Sequence, residues 1–180
     1  MSKLIRYMAI DPSMSNTAIV YGYIQDGIIS CEGYKLLETE KTKNKQIRAS
    51  SDTISRCKIL HNGIQNSIKE WEPRVIFVET PSGSQSAVSM KGYGICCALI
   101  ATMNPAPIQV TPHEVKMGSV GKKTASKKEM IDWASEKYPN LVWLYYGGKL
   151  QAKNEHLADA IATAHAGILT NDYERLITLI

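Results

Sequence analysis

The 180-residue chain has no apolar run approaching the ~18–20 residues of a membrane span. No membrane partner is expected. The opening residues, Met1 to Tyr7, lack the basic start, long apolar run and small-residue cleavage site of a signal peptide, so the expected location is cytoplasmic. The four cysteines, Cys31, Cys57, Cys96 and Cys97, form no CxxC pair, and the adjacent two are poorly placed to bond each other. Reduced, buried thiols are expected rather than a zinc site. No repeat, low-complexity tract or linker interrupts the chain, and residues 1–180 read as one domain. One absence is local. From Lys116 to Lys128 there is no Asp or Glu, while Lys116, Lys122, Lys123, Lys127 and Lys128 all fall there. Such a run is either a solvated face or a polyanion-binding loop.

What is present is ordinary for a globular protein: 44% apolar residues, 21% charged, net charge +4. Leu4 to Ile10 is a nearly continuous apolar run, as in a buried strand. Thr17 to Ile24 and Ile28 to Tyr34 read as strands joined at Asp26-Gly27, a hairpin turn. Glu38 to Arg48 is polar and reads as a loop. Ile54, Cys57, Leu60, Ile64, Ile68 and Trp71 mark one face of a helix ending before Pro73. Val75 to Val78 is a short strand closed by Glu79, and Pro81 to Ser86 is a Ser/Gly loop. Ala87 to Met103 reads as a helix despite Gly92 and Gly94, and Ile108 to Val110 as a strand. Ser126 and Glu129 fit a capping box opening a helix towards Tyr138, stopped by Pro139. A last helix runs from Glu155 or His156 to Leu169, with Leu157, Ile161, Ala164 and Ile168 on its apolar face. The segment Leu141 to Lys153 fits no element. The order predicts an α/β domain on a mixed sheet.

Two carboxylates end buried strands, Asp11 after Tyr-Met-Ala-Ile and Glu79 after Val-Ile-Phe-Val. Open α/β sheets place ligands beyond the carboxyl ends of their strands. Each alone reads as a turn or loop acid; the two at equivalent places point to a site. Asp159 shares a helix face with His156 three residues earlier, beside alanines that offer no competing polar group. Converging carboxylates suit magnesium or manganese. Two such ions about 3.5–4 Å apart serve phosphodiester chemistry. His61 and His165 read as structural, and His113 lies near the lysines.

Ile10-Asp11-Pro12-Ser13, Val78-Glu79 and His156-Leu157-Ala158-Asp159-Ala160 resemble the three acidic motifs of the RuvC family of Holliday junction resolvases. Val115-Lys116 through Gly121 to Ala125-Ser126-Lys127 resembles that family's basic segment. The resemblance runs in order from about residue 5 to 168. It implies an RNase H-like fold with a central mixed five-stranded sheet flanked by helices. It also implies a homodimer and magnesium-dependent paired nicking of branched DNA, with manganese able to substitute. It assigns metal ligation to Asp11, Glu79, His156 and Asp159, and phosphate or transition-state contacts to Lys116 and Lys127. Catalysis is thus expected from Asp11, Glu79, His156, Asp159 and Lys127, and DNA binding from Lys116, Lys122, Lys123, Lys127 and Lys128.

The sequence departs from the family in two places. Bacterial members carry an aromatic residue soon after the second acid, where this chain has Thr80-Pro81-Ser82-Gly83. The Leu141 to Lys153 segment is longer than expected and interleaves Trp143, Tyr145 and Tyr146 with Lys149 and Lys153. It reads either as a nucleic-acid contact or as an edge strand packed on the core. These departures suit a divergent, phage-encoded member. The competing readings are an RNase H-like nuclease for RNA–DNA hybrids, forks or flaps, and a nucleic-acid-binding module without catalysis. A sugar-kinase-like ATPase would need more glycine than Asp11 to Thr17 offers.

Overall fold

Side chains alternate faces along a strand, so Tyr7, Ala9 and Asp11 point one way while Met8 and Ile10 point the other. Val75, Phe77 and Glu79 share a face in the same manner. In the computed structural model, which describes residues 3–83 and 86–179, this alternation divides the core in two. Tyr7, Ala9, Val75 and Phe77 pack with Ala164 and Tyr173 on one side of the sheet. Met8, Ile10, Ile76 and Val78 pack with Leu60, Ile64, Leu99 and Ile100 on the other. Ser84 and Gln85, within the loop expected from Pro81 to Ser86, lie outside the described residues.

The sheet has five strands: β1 (Ile5–Asp11), β2 (Asn16–Gln25), β3 (Ile28–Glu38), β4 (Val75–Glu79) and β5 (Ile108–Val110), in the order β3-β2-β1-β4-β5. The first three form the expected antiparallel meander, turning at Asp26 and Gly27, both at positive φ. β4 and β5 add in parallel. Helices α1 (Ala49–Trp71) and α2 (Ala87–Ala101) cover the Met8/Ile10 face. Helices α3 (Pro112–Gly118), α4 (Lys127–Lys137), α5 (Glu155–Gly167) and α6 (Asn171–Leu179) gather on the other side. This is the mixed five-stranded, helix-flanked sheet expected from the sequence.

Several elements differ from the sequence reading. The segment after Val110 is not all loop, because Pro112 starts α3 and Thr111 with Glu114 closes a capping box. α1 starts five residues before Ile54, at a polar turn whose Arg48 N-cap makes no side-chain capping bond. α5 is not amphipathic. Leu157, Ala158, Ala160, Ile161, Ala162, Thr163, Ala164, Ala166 and Gly167 are all buried, as expected of a helix enclosed by neighbours rather than lying on a surface. It ends at Gly167, and Thr170 accepts from the Tyr173 amide at 3.2 Å where α6 begins. Leu141 to Lys153 is not an edge strand of the main sheet. It contains a separate hairpin of β6 (Tyr145–Tyr146) and β7 (Lys149–Leu150).

Two glycines set the height of α5. A Cβ on Gly167 would lie 2.0 Å from the Phe77 ring, and one on Gly118 would lie 2.8 Å from the Ala166 backbone. α5 therefore sits close on β4, and α3 close on α5. Phe77 is fully buried, with its ring centroid 6.3 Å from that of Tyr7 and 5.6 Å from that of Tyr173, and has little room to yield. Gly167→Ala should cost about 3 kcal/mol or more, the upper range for overpacking. Urea unfolding would measure it, and a loss under about 0.5 kcal/mol, typical of surface changes, would contradict this packing.

Candidate active site

Strand register brings the first two acids together. β1 and β4 run parallel with Ile10 opposite Val78, so the next residues, Asp11 and Glu79, end adjacent strands on the face that α5 covers. The turn beyond Asp11 is held from both sides. Thr17 Oγ1 accepts from the Ser13 amide at 3.0 Å and donates to the Ser13 carbonyl at 2.7 Å. Arg56, on α1, donates to the Met14 carbonyl at 2.9 Å. The third acid comes from α5, whose first turn crosses the end of the sheet. His156 Nδ1 lies 3.1 Å from Asp11 Oδ2. Asp159, one turn further, completes the group.

The electrostatics reflect this crowding. Burial, then the charges of Asp11 and Asp159, push the Glu79 carboxyl up to about 8. Burial, then the Asp11 charge, pushes Asp159 up to about 7. His156 rises above its usual range, chiefly through its hydrogen bond to Asp11. Like charges have been brought together out of water, and the Asp11 charge disfavours ionisation of both Glu79 and Asp159. Lys116 opposes this at Glu79, as do His156 and Lys127 at Asp159. They do not cancel it.

The lysines separate into two groups. Lys116 on α3 and Lys127 in the first turn of α4 lie within electrostatic reach of the acids. Lys122 instead pairs with Glu129 at 2.8 Å, and Lys128 pairs with Asp132. Lys123 is exposed in the loop between α3 and α4. Only Lys122 and Lys123 are loop residues. The run that lacks acids in sequence is thus partly neutralised in space.

Glu155 belongs to the site and was missed as a functional residue. It accepts an ion pair from Lys127 Nζ at 2.7 Å and faces His156 Nε2 at 3.7 Å. A continuous chain therefore runs from Asp11 through His156 and Glu155 to Lys127. In sequence Glu155 is only the possible first residue of the last helix, and only the packing of α4 on α5 reveals its partner. Beside it a cavity of about 210 Å³ is lined by Asn16, Glu38, Lys153, Glu155 and His156, among others. His165 plays no part here. Its Nε2 lies 2.7 Å from the Tyr138 hydroxyl, and burial pushes its pKa down to about 4. His61 lies on α1, 3.4 Å from the Thr102 hydroxyl, and His113 is exposed on α3.

The donors suit a hard divalent cation: three carboxylates and an imidazole, with excess negative charge. Among the described residues, no three acidic, cysteine or histidine side chains are grouped tightly enough to enclose an ion as they stand. Magnesium does not require such a cage. It is commonly held by one or two carboxylates, with water and substrate phosphate filling the remaining positions.

Solved structures of known proteins share this arrangement of elements. RuvC from Thermus thermophilus, solved with a Holliday junction substrate, matches with a TM-score of 0.67 over 97% of both chains, at 17% identity. The fold is that of RuvC. A yeast mitochondrial Holliday junction resolvase matches with a TM-score of 0.59 over 96% of this chain and 80% of its own, at 11% identity. In sequence, the crossover junction endodeoxyribonuclease RuvC of Pseudothermotoga lettingae is 28% identical across 61% of this chain and 70% of that protein. No protein-family profile matches the chain. On this RuvC fold the carboxyl ends of β1 and β4 and the first two turns of α5 carry the acids. No helix among the described residues is long and apolar enough to cross a membrane.

The raised carboxyl pKa values make the acids a stability cost when no cation is present. A carboxyl raised from 4.5 to about 8 imposes no penalty below its unfolded value. The penalty grows as pH rises towards the folded value, because the unfolded chain releases its proton first. Glu79→Gln keeps the shape and removes the charge. In chelator at pH 8, its melting temperature should exceed that of the unmodified protein by several degrees, with a smaller gain at pH 5. A lower melting temperature at pH 8 would contradict the crowding.

Proposed function

We propose that this chain is a metal-dependent DNA endonuclease that resolves four-way junctions and related branched DNA by paired nicking. The observation carrying the proposal is the convergence of Asp11, Glu79 and Asp159 from three separate elements at one end of a RuvC fold, with Lys116 and Lys127 beside them. Relatives with this fold include a RuvC solved on a Holliday junction. Such a cluster costs stability, which a fold tolerates at a working site.

The proposed roles follow from position. Asp11, Glu79 and Asp159 hold magnesium, or manganese in its place. His156, oriented by Asp11, serves as a fourth ligand or positions the attacking water. A divalent ion there would supply an activated water and stabilise charge on the leaving oxygen. Lys127 stands in the first turn of α4, where exposed amides and an ammonium together hold a phosphate. Lys116 faces the acids from α3. Lys122, Lys123 and Lys128 lie farther out and contribute to backbone affinity and its salt dependence. Two copies related by a twofold axis would match the two equivalent strands that a junction presents.

Cleavage of labelled four-way junctions, Y-forks, linear duplex and RNA–DNA hybrid in magnesium would test the proposal. Junctions should be nicked symmetrically on two opposing strands and fastest of the four. Faster cutting of the hybrid would favour a ribonuclease. Asp159→Asn should lower the cleavage rate at least a thousandfold, about 4 kcal/mol of transition-state stabilisation, and leave junction binding intact. Normal cutting by this variant would remove the acidic cluster from the reaction.

A further inference from the structure

We propose that the β6–β7 hairpin is a base-stacking element, in which Tyr146 and Lys149 hold an unpaired nucleotide of the DNA strand leading into the active site. This inference rests on the nuclease reading above. It assigns a role to the segment that fits none of the acidic or basic motifs.

Strands of two residues do not hold themselves together. Here the turn residues Gly147 and Gly148 both have positive φ, 55° and 74°, as a tight hairpin turn requires. The base of the hairpin is anchored from several sides. Asn154, buried at the start of α5, accepts from the Leu144 amide at 3.0 Å and donates to the Leu144 carbonyl at 2.9 Å. Gln151 donates from its side chain to the Tyr145 carbonyl at 3.1 Å. The Tyr34 hydroxyl donates to the Val142 carbonyl at 2.8 Å, and Trp143 Nε1 to the Tyr138 carbonyl at 2.9 Å. Asn154 directly precedes Glu155 and His156, so the hairpin is tied to the turn that carries the active site.

Its tip is uncovered. Tyr145 pairs with Leu150 and Tyr146 with Lys149, so alternation places the two pairs on opposite faces. Leu150 packs against the core. Tyr146 and Lys149 therefore share the outward face, and Tyr146 is 84% exposed. An exposed aromatic ring beside an ammonium matches a base and its phosphate. The surroundings carry matching charge. A groove of about 610 Å³ between the hairpin and α4 is lined by Lys127, Lys128 and Lys149, together with Asp132, which pairs with Lys128. On the other side, Lys153 shares a cavity with His156. Lys149 and Lys153 make no ion pair among the described residues. Lys149 on one side of the hairpin and Lys153 on the other therefore supply positive charge that is not already paired, which favours a nucleic acid strand over a protein or lipid partner. The loop after Glu79, Thr80-Pro81-Ser82-Gly83, has no aromatic residue to fill this role.

The test uses the full-length protein and a four-way junction carrying 5-iodouracil near the crossover, bound in chelator so that it stays uncut. Irradiation should crosslink Tyr146. Tyr146→Ala should lose the crosslink and weaken junction binding roughly ten- to a hundredfold, while Tyr146→Phe, which keeps the ring, should stay within about twofold. If Tyr146→Ala binds and crosslinks as the unmodified protein does, the inference is wrong, and symmetric nicking in magnesium would leave the nuclease reading intact. A Tyr146 crosslink without any nicking would support the hairpin and overturn the nuclease. Failure to bind DNA would overturn both. If Tyr146→Ala instead converts a dimer to a monomer in sedimentation, the hairpin is an interface between copies and the inference falls.

Discussion

The structure depends on the parallel pairing of β1 with β4 in a register that leaves Asp11 and Glu79 side by side. Two carboxylates at that spacing repel, and burial under α5 strengthens the repulsion. The fold holds them there because the residues behind them are deeply buried. Met8, Ala9, Ile10, Ile76, Phe77 and Val78 are all essentially inaccessible to solvent. A one-residue slip of β4 would turn its whole side-chain set over, moving Phe77 out of the Tyr7 core and Glu79 away from Asp11. The hydrophobic pattern that specifies the sheet therefore also specifies the acidic pair. The third acid depends on the close seating of α5, which Gly167 and Gly118 permit.

Much of this was legible in the sequence, for definite reasons. The meander was announced by Asp26-Gly27 between two β-branched runs, and α4 by the Ser126/Glu129 capping box. The same logic applied to Thr111, Pro112 and Glu114 reveals α3, although the lysines that follow resemble a loop. The start of α1 carries no capping signal. The two acids at strand ends were visible because each follows a continuous apolar run. What sequence could not supply was partnership across the fold. Glu129 and Asp132 lie outside the acid-free window, yet their side chains reach back to Lys122 and Lys128. Glu155 meets Lys127 only because α4 packs on α5.

That partnership changes how the basic residues are ranked. An acid-free run of five lysines allowed two readings, a solvated face or a polyanion-binding loop. In the fold, Lys116 and Lys127 approach the acids from two different helices, while Lys122 and Lys128 are paired elsewhere. Lys149 and Lys153 come from a segment whose sequence fitted no element; Lys149 lines a groove with Lys127, and Lys153 a cavity with His156. The hairpin there is short, yet Asn154 and Gln151 tie its base to the turn where α5 begins.

The central claim is that Asp11, Glu79, His156 and Asp159 together form a divalent-cation site. Soaking crystals of the protein in manganese and recording anomalous scattering tests it most directly. The account predicts an anomalous peak bounded by these four side chains, and its loss in an Asp11→Asn crystal. A well-diffracting crystal with no peak there, or with manganese bound only elsewhere, would contradict it.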